Sequence, residues 1–124
     1  MSTSEIATVL AWHDALSASD IATLVSLSSD DIEIGDAHGA RQGHAALREW
    51  ARNSAASIEV GDIYYRDGVV VVEERITSKS DPEDVTTAAS AFRVVHDHVT
   101  SAFRHDNLAA ALAATELTDE DLRA

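Results

Sequence analysis

Midway along the chain the apolar period changes. From Ser57 to His105 the sequence runs through "SIEVGDIYYR", "VVVVEERITSK", "VTTAASAFRVV" and "VTSAFRH", four stretches rich in β-branched and aromatic residues. Such residues fit a pleated, half-buried surface, so the stretches read as strands. The breaks between them, "DG" at 67–68, "SDPED" at 80–84 and "HDH" at 96–98, are short enough for hairpins. Successive hairpins give an antiparallel meander, and a sheet of that kind must bury one face against the rest of the chain.

The residues ahead of Ser57 carry helical spacing instead. Ile6, Val9, Leu10 and Leu16 form one stripe between Glu5 and Leu16, with His13 on it. Ser19 and Asp20 offer cap oxygens to a second helix whose apolar face is Ile21, Leu24, Val25 and Leu27. "DIEIGD" then alternates Ile32 and Ile34 with acids as a short strand, and Gly39 and Gly43 mark a turn. A third helix starts near His44, with Leu47, Trp50, Ala51 and Ser54 on its stripe. An alanine-rich helix from Asn107 to Ala114 and a capped turn at Thr118 close the chain. The pattern describes one α+β domain over residues 1–124, its sheet burying one face against the helices; a strongly curved sheet would leave a pocket between them.

Composition narrows the function classes. Twenty-two acids against nine bases give a charge of −13, a surface that repels phosphate backbones and anionic lipids, so neither nucleic acid nor membrane is expected as a partner. The chain has no cysteine, which removes disulfides, thiolate metal sites and cysteine nucleophiles together. The first basic residue is Arg41, too late for a secretory signal, and the apolar run "LAAALAA" at 108–114 falls well short of the roughly 20 residues of a membrane span. A cytoplasmic location is expected. No phosphate-binding glycine loop, serine elbow or HExxH occurs, and no cofactor or metal is expected.

"WHDALSASDIATLVSLSSDDIEIGDAHGARQGHAALREW" resembles the front half of the nuclear transport factor 2-like superfamily, in its SnoaL-like and ketosteroid isomerase-like branch, and "AFRVVHDHVTSAFRHDNL" is similar to that family's last two strands. The resemblance implies a cone-shaped, cystatin-like fold with three N-terminal helices packed on a curved antiparallel sheet. The sheet would wrap the long third helix, the first two helices would close an apolar pocket, and the outer sheet face would pair two chains as a homodimer. It further implies a SnoaL-like protein binding a small apolar or polyketide-like molecule, with isomerase or cyclase chemistry open to it. A non-catalytic dimeric protein-binding module and epoxide hydrolase-like water activation are the alternatives.

The resemblance places Asp36 where ketosteroid isomerases keep a proton-carrying aspartate, chemistry that needs a carboxylate beside a substrate carbon and donors for the enolate oxygen. Trp12 and Ser90 would stand where the family keeps those donors. The competing reading of Asp36 is a turn aspartate capping backbone N–H groups ahead of Gly39. His13 is the second catalytic candidate, as acid, base or donor. Trp50, Tyr64, Phe92 and Phe103 are candidates to line the cavity or simply to fill the core. If Ser90 faces the pocket, Thr86, Ala88, Phe92 and Val94 share its face, and Thr87, Ala89, Ala91, Arg93 and Val95 would suit the dimer interface.

Three further groups invite weighing. In "VVEER", Glu73 and Arg75 share one face while Glu74 sides with Val72 and Ile76, so an acid at 73 or 74 beside Arg75 reads either as a water-activating pair or as an exposed ion pair. His96 and His98 flank Asp97 and read as turn residues, since a metal would need a third ligand. His38 and His44 sit in or beside the loop after "DIEIGD" and carry no specific signal.

Overall fold

The computed structural model describes residues 2–36, 38–53, 56–78 and 80–123; Ser54 of the third helical stripe and Lys79 of the second β-run lie outside them. The element order is α1 (Ser2–Ser17), α2 (Ile21–Ser26), β1 (Ser28–Asp36), β2 (Gly39–Gln42), α3 (His44–Asn53), β3 (Ala56–Arg66), β4 (Val69–Ser78), β5 (Val85–Val95), β6 (His98–His105), α4 (Leu108–Thr115) and one 3₁₀ turn (Asp119–Asp121). Asp20 caps α2 through the Thr23 N–H, and Asn107 caps α4 through the Ala110 N–H. None of the described helices is long and apolar enough to cross a membrane.

The six strands form one sheet in the order β2-β1-β6-β5-β4-β3. The meander β3 to β6 is antiparallel throughout. Two of its turns use the left-handed backbone that the twist of a two-residue hairpin requires: Asp67 and Gly68 at φ 52° and 83°, and His96 and Asp97 at φ 51° and 62°. His96 and Asp97 are thus turn residues, while His98 opens β6.

The sheet differs from the purely antiparallel one expected, because β1 lies parallel to β6. The meander leaves the outer edge of β6 open, and β1 covers it with Ile34 beside Ala102 and Gly35 beside Phe103. Gly39–Gln42, expected as a turn, is a strand that folds back on β1, pairing Gly39 with Asp36 and Gln42 with Glu33. All four of its residues are exposed, so no alternation marks it in the sequence. The hairpin is possible because residue 35 is glycine; a Cβ there would stand 2.7 Å from the Gly39 carbonyl oxygen and 2.9 Å from the Ala40 Cα.

The helices are also arranged differently from the three-helix layer expected. The sheet curves around α1, the longest helix, and not around α3. Val9, Trp12, His13 and Leu16 of α1 are buried against Ile63, Val70, Val72, Phe92 and Val94 of the meander. α3 follows the β1–β2 hairpin, buries Ala46, Leu47 and Ala51, and packs at the β1 end. α1 carries the wider buried stripe, which is why it takes the centre of the concave face.

α4 lies on the opposite face, where Ala111 and Leu117 cover Tyr64, Val71 and Ala89 in a second apolar cluster. The β5 strip expected to meet a partner is therefore divided: Ala89 is sealed by the chain's own helix, and Thr87, Arg93 and Val95 are exposed. Tyr64 departs from its expected place for a local reason. Val60 pairs with Glu74 but Ile63 pairs with Val72, so β3 gains one residue at Gly61–Asp62. That bulge reverses the alternation and turns Tyr64 outward while Ile63 and Tyr65 face in.

Candidate functional site

β4 keeps strict alternation, with Val70, Val72 and Glu74 on the concave face, which puts Glu73 and Arg75 outward. A glutamate 1% exposed demands partners, since an unpaired buried charge is strongly unfavourable. Glu74 has three. His13 Nε2 lies 2.6 Å from its Oε2, the Ser90 hydroxyl donates to Oε1 at 2.7 Å, and Arg104 Nε stands 3.5 Å from Oε1. Ser90 and Arg104 are cross-strand partners on β5 and β6, and Ser90 also faces Val72 of β4, so register alone brings the three polar side chains together.

Burial pushes the Glu74 carboxyl upward, but the His13 hydrogen bond and charge, the Arg104 charge and the Ser90 hydroxyl together outweigh it and hold the group below its usual value. Glu74 is ionised. The other ring nitrogen of His13, Nδ1, lies 2.9 Å from the Val9 carbonyl oxygen one turn back on α1. Both ring nitrogens thus face oxygen atoms. His13 and Glu74 form a buried hydrogen-bonded pair.

Aromatic rings wall this pair. Trp12 lies 5.3 Å from Phe92 and 5.8 Å from Trp50 between ring centroids, and Phe92 lies 5.1 Å from His13. The Trp12 N–H donates to the Ser28 hydroxyl at 3.1 Å, which in turn donates to the Leu24 carbonyl. That donor is occupied inside the core and does not face a ligand. Trp50 is half-buried, with the Arg104 guanidinium 5.8 Å from its ring centre.

Trp50 also forms a wall of an open groove of about 500 Å³, with Ile34, Gly35, Asp36, His38 and Arg41 among the other lining residues. Its volume is that of a small-molecule site. Asp36 is exposed at the end of β1, and its Oδ1 accepts the His38 N–H at 2.8 Å, the hydrogen bond of a turn aspartate. It also lines the groove. One residue beyond the paired Gly35 and Phe103 come Asp36 and Arg104, which therefore lie on neighbouring strands on the same face as Ile34 and Ala102.

Of the residues singled out in the sequence, the structure brings His13, Trp12, Ser90 and Phe92 together around Glu74, and joins Asp36 to Trp50 in the groove. Tyr64 and Phe103 are on the other side of the sheet, where Phe103 lines a second hollow of about 410 Å³ beside α4. Among the described residues no buried charged side chain lines that hollow. His44 reaches the Ser28 carbonyl at 3.2 Å. Among the described residues no three His, Asp or Glu side chains converge as metal ligands. Glu74 was one of two acids left open by parity, and Arg104 had no signal beyond a charge in an otherwise apolar alternation.

The comparisons agree with this architecture. The model of the SnoaL-like domain matches residues 9–113, most of the sequence. The chain belongs to the SnoaL-like domain family. No curated protein matches it. Solved structures with the same fold include a protein assigned as a polyketide cyclase from Sinorhizobium meliloti, at 19% identity and TM-score 0.68 over 78% of this chain and 92% of that one. A protein from Kribbella flavida assigned as a ketosteroid isomerase aligns at 11% identity and TM-score 0.72, covering 84% and 78%. A protein from Catenulispora acidiphila with a ketosteroid isomerase-like fold, solved in complex with trimethylamine, aligns at 19% identity and TM-score 0.70, covering 91% and 95%. At these identities the likeness concerns fold, and the SnoaL-like chain's own residues must carry any statement about chemistry.

Proposed function

We propose that this SnoaL-like protein binds a compact apolar or polyketide-like molecule in the groove between the β1–β2 hairpin and Trp50, and moves a proton on it in isomerase or cyclase fashion. The observation that supports this is the placement of Asp36: a carboxylate on the wall of a groove of ligand size, open to solvent and beside an aromatic ring. In this reading the Asp36 carboxylate removes a proton from a carbon next to a carbonyl, the electron pair passes to the carbonyl oxygen, and the same carboxyl returns the proton to a carbon of the resulting enolate. His13 becomes a positioning residue, since it and Glu74 use their polar atoms on each other and on Val9 and Ser90.

Water activation by a β4 acid finds one favourable feature, the inward Glu74 within 3.5 Å of Arg104. Groove chemistry is preferred because Glu74 is sealed and both of its oxygens already accept hydrogen bonds. A protein-binding dimer is less well supported, because α4 covers the apolar part of the outer sheet face.

The test uses a simple ketone, 2-tetralone, in deuterated water, with α-proton exchange followed by NMR. The wild-type protein should accelerate exchange, and Asp36→Asn should lower the acceleration by about 10²- to 10⁴-fold, the range for removing a positioned base. Asparagine keeps the oxygen that accepts from His38, so the turn should survive. Equal rates in the two proteins would remove Asp36 from the mechanism.

A further inference from the structure

Arg104 is not used by the proton-transfer reading. Every other described arginine is exposed, whereas Arg104 is half-buried on the concave face. Its Nε is inaccessible and makes no hydrogen bond, with Glu74 Oε1 standing 3.5 Å away. Glu74 is its counter-charge inside the core, but not one that Arg104 has to itself. That carboxylate is shared: His13 Nε2 stands 2.6 Å from one oxygen, and the Ser90 hydroxyl donates to the other at 2.7 Å. A partly buried guanidinium in that position favours a further negative charge in reach of its outer N–H groups.

Trp50 shows where that charge would come from. The guanidinium carbon lies 5.8 Å over its ring centre, and Trp50 also lines the groove, as does Asp36 on the strand next to Arg104. A flat ring lying in the groove against Trp50 would bring a substituent at its edge to Arg104. We propose that Arg104 and Trp50 form an anion subsite of the groove, selecting a planar molecule that carries a carboxylate or an ionised enol. The protein's charge of −13 repels anions at long range, and this is the point on its concave face where one is attracted. Asp36 sits on the groove wall in contact with solvent, where water and salt screen its repulsion. The inference rests on the groove being a ligand site and adds the charge and shape of what enters.

The test compares two probes of equal shape, 2-naphthoate and neutral 2-naphthamide, by calorimetry and by chemical-shift titration of the Trp50 indole N–H. The naphthoate should bind at least about tenfold more tightly, the lower range for a hydrogen bond to a charged group. Arg104→Gln should abolish that preference and leave naphthamide binding unchanged. Arg104→Lys should restore only part of it, because an ammonium lacks the planar fork that lies on the ring. Equal affinity of the two probes for the wild-type protein overturns the anion subsite while the groove stands as a ligand site. Undiminished naphthoate binding by Arg104→Gln overturns it too. Binding of neither probe overturns it together with the reading of the groove. Naphthoate preference without tetralone exchange supports the subsite and removes the catalytic reading alone. Should Arg104→Gln fail to fold, the two probes on the wild-type protein decide the matter.

Discussion

Cutting Glu74 back to alanine leaves His13 buried and facing an empty space, while Ser90 loses its acceptor and Arg104 a neighbouring negative charge. Removing one member of a buried pair typically costs about 3–5 kcal/mol, so Glu74→Ala should lower the urea midpoint sharply, and His13→Ala should cost much the same. The double variant should be far from additive, because the second substitution removes a group already stranded. Acid provides an independent check. Glu74 is held below its usual value, so the unfolded chain binds the proton more tightly. The stability this contributes is complete above the ordinary glutamate pKa of about 4.3, and is lost as pH falls through the lower folded value. Urea midpoints measured from about pH 3 to 6 should fall more steeply on acidification for the wild-type protein than for Glu74→Gln. Parallel curves would show that the carboxylate carries no such linkage.

At the level of elements, the groove depends on the β1–β2 hairpin, and the hairpin depends on Gly35. A methyl group at that position meets backbone atoms of Gly39 and Ala40 at under 3 Å, and backbone cannot swing aside as a side-chain tip does. Gly35→Ala should therefore destabilise the protein by about 1–3 kcal/mol, as overpacking commonly does. It should also weaken naphthoate binding, both read from the same preparation by denaturation and calorimetry. Several other elements were legible from local chemistry. The caps at Asp20 and Asn107, the "DG" turn and the helical stripes of α1 and α2 are decided by residues within a few positions of one another. β2 was not legible, because an exposed four-residue edge strand has no buried face to leave a pattern.

For the whole molecule, the outer sheet face decides the state of association. Its apolar residues Tyr64, Val71 and Ala89 lie under α4; Arg75, Thr87, Arg93 and Val95 are exposed, and Phe103 lines the hollow beside α4. Stable interfaces need a well-packed apolar core, and here charged and polar side chains interrupt the uncovered apolar ones. Sedimentation of the purified chain should give a monomer at micromolar concentration. A dimer whose contacts run through β5 would show that α4 moves aside.

The order of residues by itself determined the class of fold, the ends of most elements and the candidates Asp36, Trp50, His13 and Ser90, because helical stripes, hairpin turns and caps are short-range effects. Tertiary structure alone decided which face each candidate occupies. The extra residue at Gly61–Asp62 is defined only against β4, the parallel seating of β1 only against β6, and the meeting of Glu74, His13, Ser90 and Arg104 only by the register of three strands and the lie of α1. A period of two states that side chains alternate, but it takes a partner strand to say which way they point.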